Sequence, residues 1–200
     1  ITAYPDERYE GILDRIGISG VRTAAGGGCC GALPEHLGAH DDALAVARRN
    51  VDAWWPAVEA GAEAIIVTAS GCGVTVRDYA HLLAEDAGYA RRAERIGALA
   101  RDPVEVIAAE WKAIGPRIAL DRGAQRIAFH APCTLQHGMQ IKGQVEELID
   151  AMGHQRRPIA DAHLCCGSAG TYSILQPELA GQLKRNKRAA LEAERPHVIA

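Results

Sequence analysis

The sequence predicts an α/β protein of two tandem, pseudo-symmetric cysteine-rich units, each with a small parallel sheet flanked by helices. Two observations support this fold class. Segments with helical periodicity alternate with short apolar runs bounded by glycine, which is the pattern of parallel strands joined by helices. The chain also repeats itself, because Cys29-Cys30-Gly31 recurs 136 residues later as Cys165-Cys166-Gly167.

The repeat extends beyond the cysteines. At the same offset Arg48-Arg49-Asn50 aligns with Lys184-Arg185-Asn186. After a slip of three residues, Ile65-Ile66 aligns with Val198-Ile199. Self-similarity at a fixed offset is the signature of a duplicated structural unit.

Two domains follow from the repeat. We assign residues 1–100 to a first unit and residues 101–200 to a bridging helix followed by a second unit. In this register the counterparts of Cys133 and Cys72 fall just before the first residue and just after the last. We therefore expect the first unit to be truncated at its N-terminal end and the second at its C-terminal end.

In the first unit, helices are predicted over residues 5–16 and 40–60, and strands over 19–23 and 64–67. The second helix is the strongest, since its apolar residues recur at helical spacing: Leu44, Ala47, Val51, Trp54 and Trp55. Cys72 follows the second strand, at the carboxyl end where open α/β sheets bind ligands.

In the second half, residues 90–114 are predicted to be helical, with Pro103 starting a new helix. Residues 127–129 form a strand, 130–133 a turn and 134–152 a helix. Because no Ser-, Pro- or Gly-rich linker separates the halves, we expect them to share an interface.

Composition excludes several classes. The 200 residues are 48% hydrophobic and 24% charged, which is typical of a globular protein and not of a disordered one. The net charge of -3 gives no electrostatic reason to expect nucleic acid as a partner. No apolar stretch is long enough for a transmembrane helix.

The six cysteines are the candidate functional residues: Cys29, Cys30, Cys72, Cys133, Cys165 and Cys166. Secreted disulfides and unrelated buried thiols are two interpretations. The third is metal or iron–sulfur ligation, for which thiolates are suited. We favour the third, because each adjacent pair lies in a loop of small residues and is followed by glycine, so the backbone can approach a bulky anionic group.

Other polar and aromatic residues have simpler interpretations. His130, His137 and His163 lie near cysteines, and we expect them to form hydrogen bonds rather than to act as ligands. The same holds for Gln136 and Thr171. Trp54-Trp55 is expected in the core, and Arg91-Arg92 and Arg156-Arg157 on solvated faces. No spacing of residues indicates a catalytic triad or a pair of catalytic carboxylates, so no catalytic residue is predicted.

The cysteine pattern resembles the CCG domain, in which one cysteine, a long gap, Cys-Cys-Gly and a later Cys-x-x-Cys follow one another. This domain occurs in pairs in heterodisulfide reductases, in lactate-utilisation proteins and in the iron–sulfur subunits of anaerobic glycerol-3-phosphate dehydrogenase and glycolate oxidase. Five longer stretches are similar to the glycolate oxidase subunits: 29–33, 50–56, 68–73, 132–137 and 163–172.

The resemblance implies an iron–sulfur electron-transfer subunit of a flavin-dependent glycolate (2-hydroxyacid) dehydrogenase that makes glyoxylate. All six cysteines would be cluster ligands, with one 4Fe-4S cluster per complete unit, and FAD would reside on partner subunits. The resemblance implies a cytoplasmic location and leaves open a peripheral association of the complex with the inner membrane.

The sequence departs from the family pattern at Thr75, which stands where the second cysteine of Cys-x-x-Cys belongs. With three cysteines per unit, cluster binding by this chain on its own is an open question. Three alternatives also stay open: a thiol–disulfide redox subunit like heterodisulfide reductase, a lactate-utilisation iron–sulfur protein, and a docking module whose cysteines are relics.

Overall fold

The computed structural model describes residues 1–3, 11–14, 17–18, 20–115 and 123–200. Of the predicted N-terminal helix, residues 11–14 are helical, with Leu13 fully buried, and the rest of it, 5–10 and 15–16, lies outside the described residues. Of the predicted strand 19–23, only Thr23 pairs with a neighbouring strand, and residue 19 lies outside the description.

The rest of the first unit consists of helices α1 to α5 and two short strands. In chain order these are α1 (Ala32–His36), α2 (His40–Glu59), β1 (Ile65–Ile66), α3 (Ser70–Arg77), α4 (Tyr79–Leu82), α5 (Ala90–Leu99) and β2 (Ala100–Arg101). The long helix α2 confirms the predicted one. Its buried face contains Ala43, Ala47, Asn50, Val51 and Trp54, at the spacing of an amphipathic helix.

The first sheet is parallel. Thr2 forms bridges to Thr23 on one side and to Ile66 of β1 on the other. Strand β1 then pairs with β2, with Ile65 opposite Ala100. Both residues of β1 are buried, as expected for a parallel strand covered on both faces.

Helix α6 (Pro103–Ile114) bridges the two units. Its start at Pro103 is as predicted, because proline fits the first helical turn. Asp102 caps it by accepting from the Val104 N–H at 2.9 Å, and the Glu105 carboxylate accepts from the Asp102 N–H at 2.8 Å. The predicted helical stretch 90–114 is interrupted just before Pro103, because Ala100 and Arg101 form β2, which pairs with β1.

The second unit contains β3 (Arg126–Ala128), α7 (Gln144–Ala151), β4 (Gln155–Arg156), α8 (Tyr172–Leu175), α9 (Pro177–Glu192) and β5 (Val198–Ile199). Its three strands are parallel in the order β4-β3-β5. The two units share one pairing, because the strand that follows the long helix pairs with the first extended segment of its unit, β1 with Thr2 and β5 with β3. This pairing agrees with the predicted equivalence of Ile65-Ile66 and Val198-Ile199.

The predicted helix over 134–152 is interrupted. Thr134–Gly138 form one π-helical turn, and α7 begins only at Gln144. Between the π-helical turn and α7, the side chains of Met139 and Ile141 pack into a buried cluster with Val104 and Leu135. Packing of these two side chains therefore breaks a helix that local periodicity favours.

The two units share an interface, as predicted. Val74 of α3 packs against the cluster formed by Leu135, Met139 and Ile141. Across the same contact Arg77 donates to the carbonyl of Met139 at 2.9 Å and pairs with Glu105. The larger core lies within the first unit, around the fully buried Trp54.

Over the ranges described, no helix has both the length and the apolar character that a membrane span requires.

Candidate iron–sulfur site

Three cysteines come together in the first unit. Cys30 is buried, Cys29 is exposed, and Cys72 lies half-buried in the first turn of α3. The thiols of Cys30 and Cys72 are hydrogen-bonded to each other, and this contact together with burial raises the pKa of the Cys30 thiol. The Ala32 N–H and the Thr75 side chain, which lie close to the Cys30 sulfur, act on that pKa in the opposite direction and are outweighed. The Thr75 hydroxyl itself donates to the carbonyl of Gly71 at 3.4 Å. Thr75 thus contacts the site from the position where the family pattern has a cysteine.

Asn50 holds the Cys29-Cys30 loop from beneath. It is fully buried in α2, and its Oδ1 accepts from the Gly28 N–H at 2.9 Å. Its Nδ2 donates to the carbonyl of Cys29 and to the hydroxyl of Tyr79, both at 2.9 Å. One side chain therefore satisfies polar atoms on both sides of the first cysteine.

Tyr79 extends this network. Its hydroxyl donates to the carbonyl of Cys30 at 2.8 Å, and its ring stacks against Trp54 with 6.2 Å between centroids. Burial raises the pKa of the Tyr79 phenol, and the charges of Cys30, Cys29 and Cys72 raise it further. All three cysteines are therefore within electrostatic range of this one hydroxyl.

The glycine of each Cys-Cys-Gly motif adopts the left-handed conformation, with φ of +89° at Gly31 and +84° at Gly167. Each also packs closely on a long helix further along the chain, Gly31 on α2 and Gly167 on α9. A Cβ on Gly31 would lie 3.3 Å from the carbonyl oxygen of Ala43, and one on Gly167 only 2.5 Å from that of Ala180. The prediction that these glycines permit positive φ is confirmed, and close approach to a helix is a second reason for them.

In the second unit Cys133 and Cys165 are exposed and Cys166 is half-buried. The Gly167 N–H donates to the Cys165 sulfur at 3.3 Å. The loop before the pair is held by the buried Lys187, whose Nζ donates to the carbonyls of Asp161 at 3.1 Å and Ala162 at 3.0 Å. All six cysteines of the chain are thiols, and none forms a disulfide.

One contact joins cysteine-bearing segments of the two units. The hydroxyls of Ser70 and Thr134 lie 2.7 Å apart. Ser70 is two residues before Cys72, and Thr134 directly follows Cys133. The interface therefore brings these two segments together, while convergence of both Cys-Cys pairs on one axis stays a prediction.

The remaining residues largely behave as their simpler interpretations predict. Trp54 is fully buried and Trp55 packs against the same core. Arg92 pairs with Asp52, and Arg156 with Asp150. Gln136 donates to the carbonyl of Ala131 rather than to a sulfur.

The thiols of the first unit are soft donors, and those of Cys30 and Cys72 lie in contact. Thiolates of this kind are the ligands of iron–sulfur clusters. In the described ranges no group of three or more His, Cys, Asp or Glu side chains is arranged to hold a single metal ion.

Sequence reasoning missed Asn50, Tyr79 and Lys187. Two of these residues, Asn50 and Lys187, stand at positions that helical spacing marks. Asn50 interrupts the apolar stripe of α2 between Ala47 and Trp54, and a polar residue in such a stripe must find buried partners. Lys187 lies seven residues after the buried Ala180, on the same face of α9.

The chain matches known proteins in sequence. A family model for a cysteine-rich domain, CCG, matches residues 2–77 and again 127–200. The glycolate oxidase iron-sulfur subunit of Escherichia coli (strain K12) is 50% identical over 94% of this chain and 45% of its own length. The probable glycolate oxidase iron-sulfur subunit of Bacillus subtilis (strain 168) is 30% identical over 82% of this chain and 36% of its own length.

A lactate utilization protein A, from Exiguobacterium sp., is 26% identical over 80% of the chain and 63% of its own length. The chain spans less than half the length of the two glycolate oxidase subunits that it matches. The two family matches together cover most of its residues, and both contain a Cys-Cys-Gly loop. The chain therefore belongs to the cysteine-rich CCG domain family and carries two copies of the domain.

Proposed function

We propose that this chain is the part of an electron-transfer subunit that binds iron–sulfur clusters, in a flavin-dependent complex that oxidises glycolate to glyoxylate. The observation that carries the proposal is the contact of the Cys30 and Cys72 thiols, next to Cys29, in a loop that Asn50 and Tyr79 hold by hydrogen bonds. The names of the relatives from Escherichia coli and Bacillus subtilis support the same function and the existence of partner subunits.

Each unit would hold one cluster. Cys29, Cys30 and Cys72 are the proposed ligands in the first unit. Cys133, Cys165 and Cys166 are those in the second. We propose the 4Fe-4S type, for which each unit needs one ligand besides these three thiolates. When bound, such a cluster supplies one-electron transfer.

The protein's own contribution is to fix the thiolates and to tune their environment. Asn50 and Tyr79 fix the carbonyls of Cys29 and Cys30 and so orient the loop. The Ala32 N–H and the Thr75 side chain lie close to the Cys30 sulfur and favour its thiolate form, against the opposing effects of Cys72 and of burial. Partner subunits would carry FAD and the hydroxyacid, and a cytoplasmic or peripheral inner-membrane location fits the proposal.

The test uses protein of full natural length, produced and purified without oxygen. Iron and acid-labile sulfide are measured, and the dithionite-reduced protein is studied by EPR. Two double variants, Cys30→Ser with Cys72→Ser and Cys165→Ser with Cys166→Ser, serve as controls for each other. Each is expected to lose a different part of the EPR signal, and retention of wild-type iron by both would overturn the proposal.

One observation favours a second function. The thiols of Cys30 and Cys72 are in direct contact, as the two members of a redox dithiol are. In that case the dithiol would reduce an external disulfide, becoming an internal disulfide while two external thiols are released. Reduction of a small disulfide by iron-free protein, abolished by Cys72→Ser, would favour this function over cluster binding.

A further inference from the structure

Lys187 is a buried cation without a buried anion. Only 6% of its surface is exposed, and its Nζ donates to two main-chain carbonyls, those of Asp161 and Ala162. Within the described part of the chain it forms no ion pair. Lysine is almost never buried unless it is paired, so this position needs an explanation.

Lys187 is bound to the segment that leads into the cysteine pair of the second unit. Asp161 and Ala162, whose carbonyls accept from its Nζ, lie four and three residues before Cys165. Burial lowers the pKa of His130, three residues before Cys133, and the charge of Lys187 lowers it further. The ammonium is therefore fixed at the segment that carries Cys165.

The first unit has a neutral side chain at the corresponding place. Asn50 stands seven residues after Ala43, whose carbonyl faces Gly31, and Lys187 stands seven residues after Ala180, whose carbonyl faces Gly167. Both side chains are buried and both hold a loop at the cysteine pair. Arg49 also lies beside Gly28, but it is exposed, so water screens its charge.

We infer that Lys187 positions the second cysteine site and supplies its fixed positive charge, so that the second site accepts an electron more readily than the first. This inference rests on the proposed function. Addition of one electron makes and breaks no bond and increases the negative charge of the site. A buried ammonium stabilises that added charge more than a neutral amide does. Electrons from a reduced flavin would then pass from the first site to the second.

The potential is measured on anaerobic protein of full natural length by EPR-monitored titration with redox mediators. The signal of the second site is the one that Cys165→Ser abolishes. In Lys187→Met we expect its one-electron reduction constant to fall at least tenfold, a shift of about 59 mV to lower potential. Lys187→Arg, which keeps the positive charge, should have the wild-type potential. Lys184→Met, which removes an exposed charge from the same helix, should also leave the potential unchanged.

The role of Lys187 in positioning the loop before Cys165 is tested separately, by hydrogen–deuterium exchange on metal-free protein. Amides of residues 161–166 should exchange faster in Lys187→Met than in wild type or Lys184→Met. An unchanged potential or an unchanged exchange rate in Lys187→Met would overturn the inference while leaving iron binding intact. Wild-type protein without iron would overturn the proposed function and, with it, the electrostatic role of Lys187.

Discussion

Asn50 and Lys187 occupy equivalent positions in the two units, each two helical turns beyond the alanine that faces the glycine of Cys-Cys-Gly. Sequence alignment at an offset of 136 residues pairs Asn50 with Asn186 instead. Asn186 is exposed and accepts from Gln182 at 2.8 Å, away from the cysteine loop. The structural counterpart of Asn50 is therefore Lys187, one residue beyond the one that the sequence alignment indicates. The neutral amide of the first unit is thus a cation in the second.

Replacing Asn50 with alanine should destabilise the first unit by about 1–3 kcal/mol, because three buried or partly buried polar atoms each lose one hydrogen bond. Those atoms are the Gly28 N–H, the Cys29 carbonyl and the Tyr79 hydroxyl. The free energy of unfolding is measured by urea titration of metal-free protein. Asn186→Ala is the matched control and should change it by less than about 0.5 kcal/mol. Equal effects of the two substitutions would contradict the proposed network.

Tyr79→Phe tests the same network from its other end. It removes a hydroxyl that donates to the Cys30 carbonyl and accepts from Asn50, but keeps the ring that stacks on Trp54. We expect a loss of about 1–2 kcal/mol in unfolding free energy. In the double variant with Asn50→Ala the combined loss should be smaller than the sum of the two single losses, because they share a hydrogen bond. Full additivity would show that the two side chains act independently.

Gly167→Ala separates two effects of the Cys-Cys-Gly motif. Its Cβ would meet both the strain of a positive φ and the Ala180 carbonyl oxygen at 2.5 Å. Gly153→Ala is the control, since its φ of +80° is similar and its Cβ would meet nothing within 4 Å. We expect about 1 kcal/mol of destabilisation for Gly153→Ala and at least twice that for Gly167→Ala, by thermal unfolding. Equal shifts in Tm would show that the close approach to α9 is unimportant.

Much of the fold follows from local signals in the sequence. Helix α2 could be predicted because its apolar residues recur at helical spacing, and the start of α6 because Pro103 follows a capping aspartate. The glycines after each cysteine pair also carry their own signal, since few other residues adopt positive φ. These features depend on interactions between residues near each other in the chain.

The features that were missed depend on residues far apart in the chain. The helix expected over 134–152 breaks because Met139 and Ile141 pack into a cluster that includes Val104 from the bridging helix. At the second cysteine site, the repeat offset in the sequence indicates Asn186 as the counterpart of Asn50. The residue that holds the loop is instead Lys187, because Lys187 lies on the buried face of α9. Which polar residue holds a loop is decided by tertiary packing, and the sequence pattern only restricts the choice to that helix.

The interface between the units depends on Arg77, and its removal should weaken the coupling between them. Its guanidinium donates to the carbonyl of Met139 at 2.9 Å and pairs with Glu105, and about a quarter of the side chain is exposed. Arg77→Ala is expected to lower the free energy of unfolding by about 1–3 kcal/mol, because the Glu105 carboxylate and the Met139 carbonyl lose a charged donor.

Arg156→Ala is the control. It breaks an ion pair with Asp150 in which both side chains are nearly half exposed, so it should lower the free energy of unfolding by less than about 1 kcal/mol. Calorimetry of metal-free protein should show one transition for wild type and for Arg156→Ala, and a broadened or split transition for Arg77→Ala. A single transition of unchanged width in Arg77→Ala would mean that the apolar contact of Val74 with Met139 and Leu135 is sufficient to couple the two units.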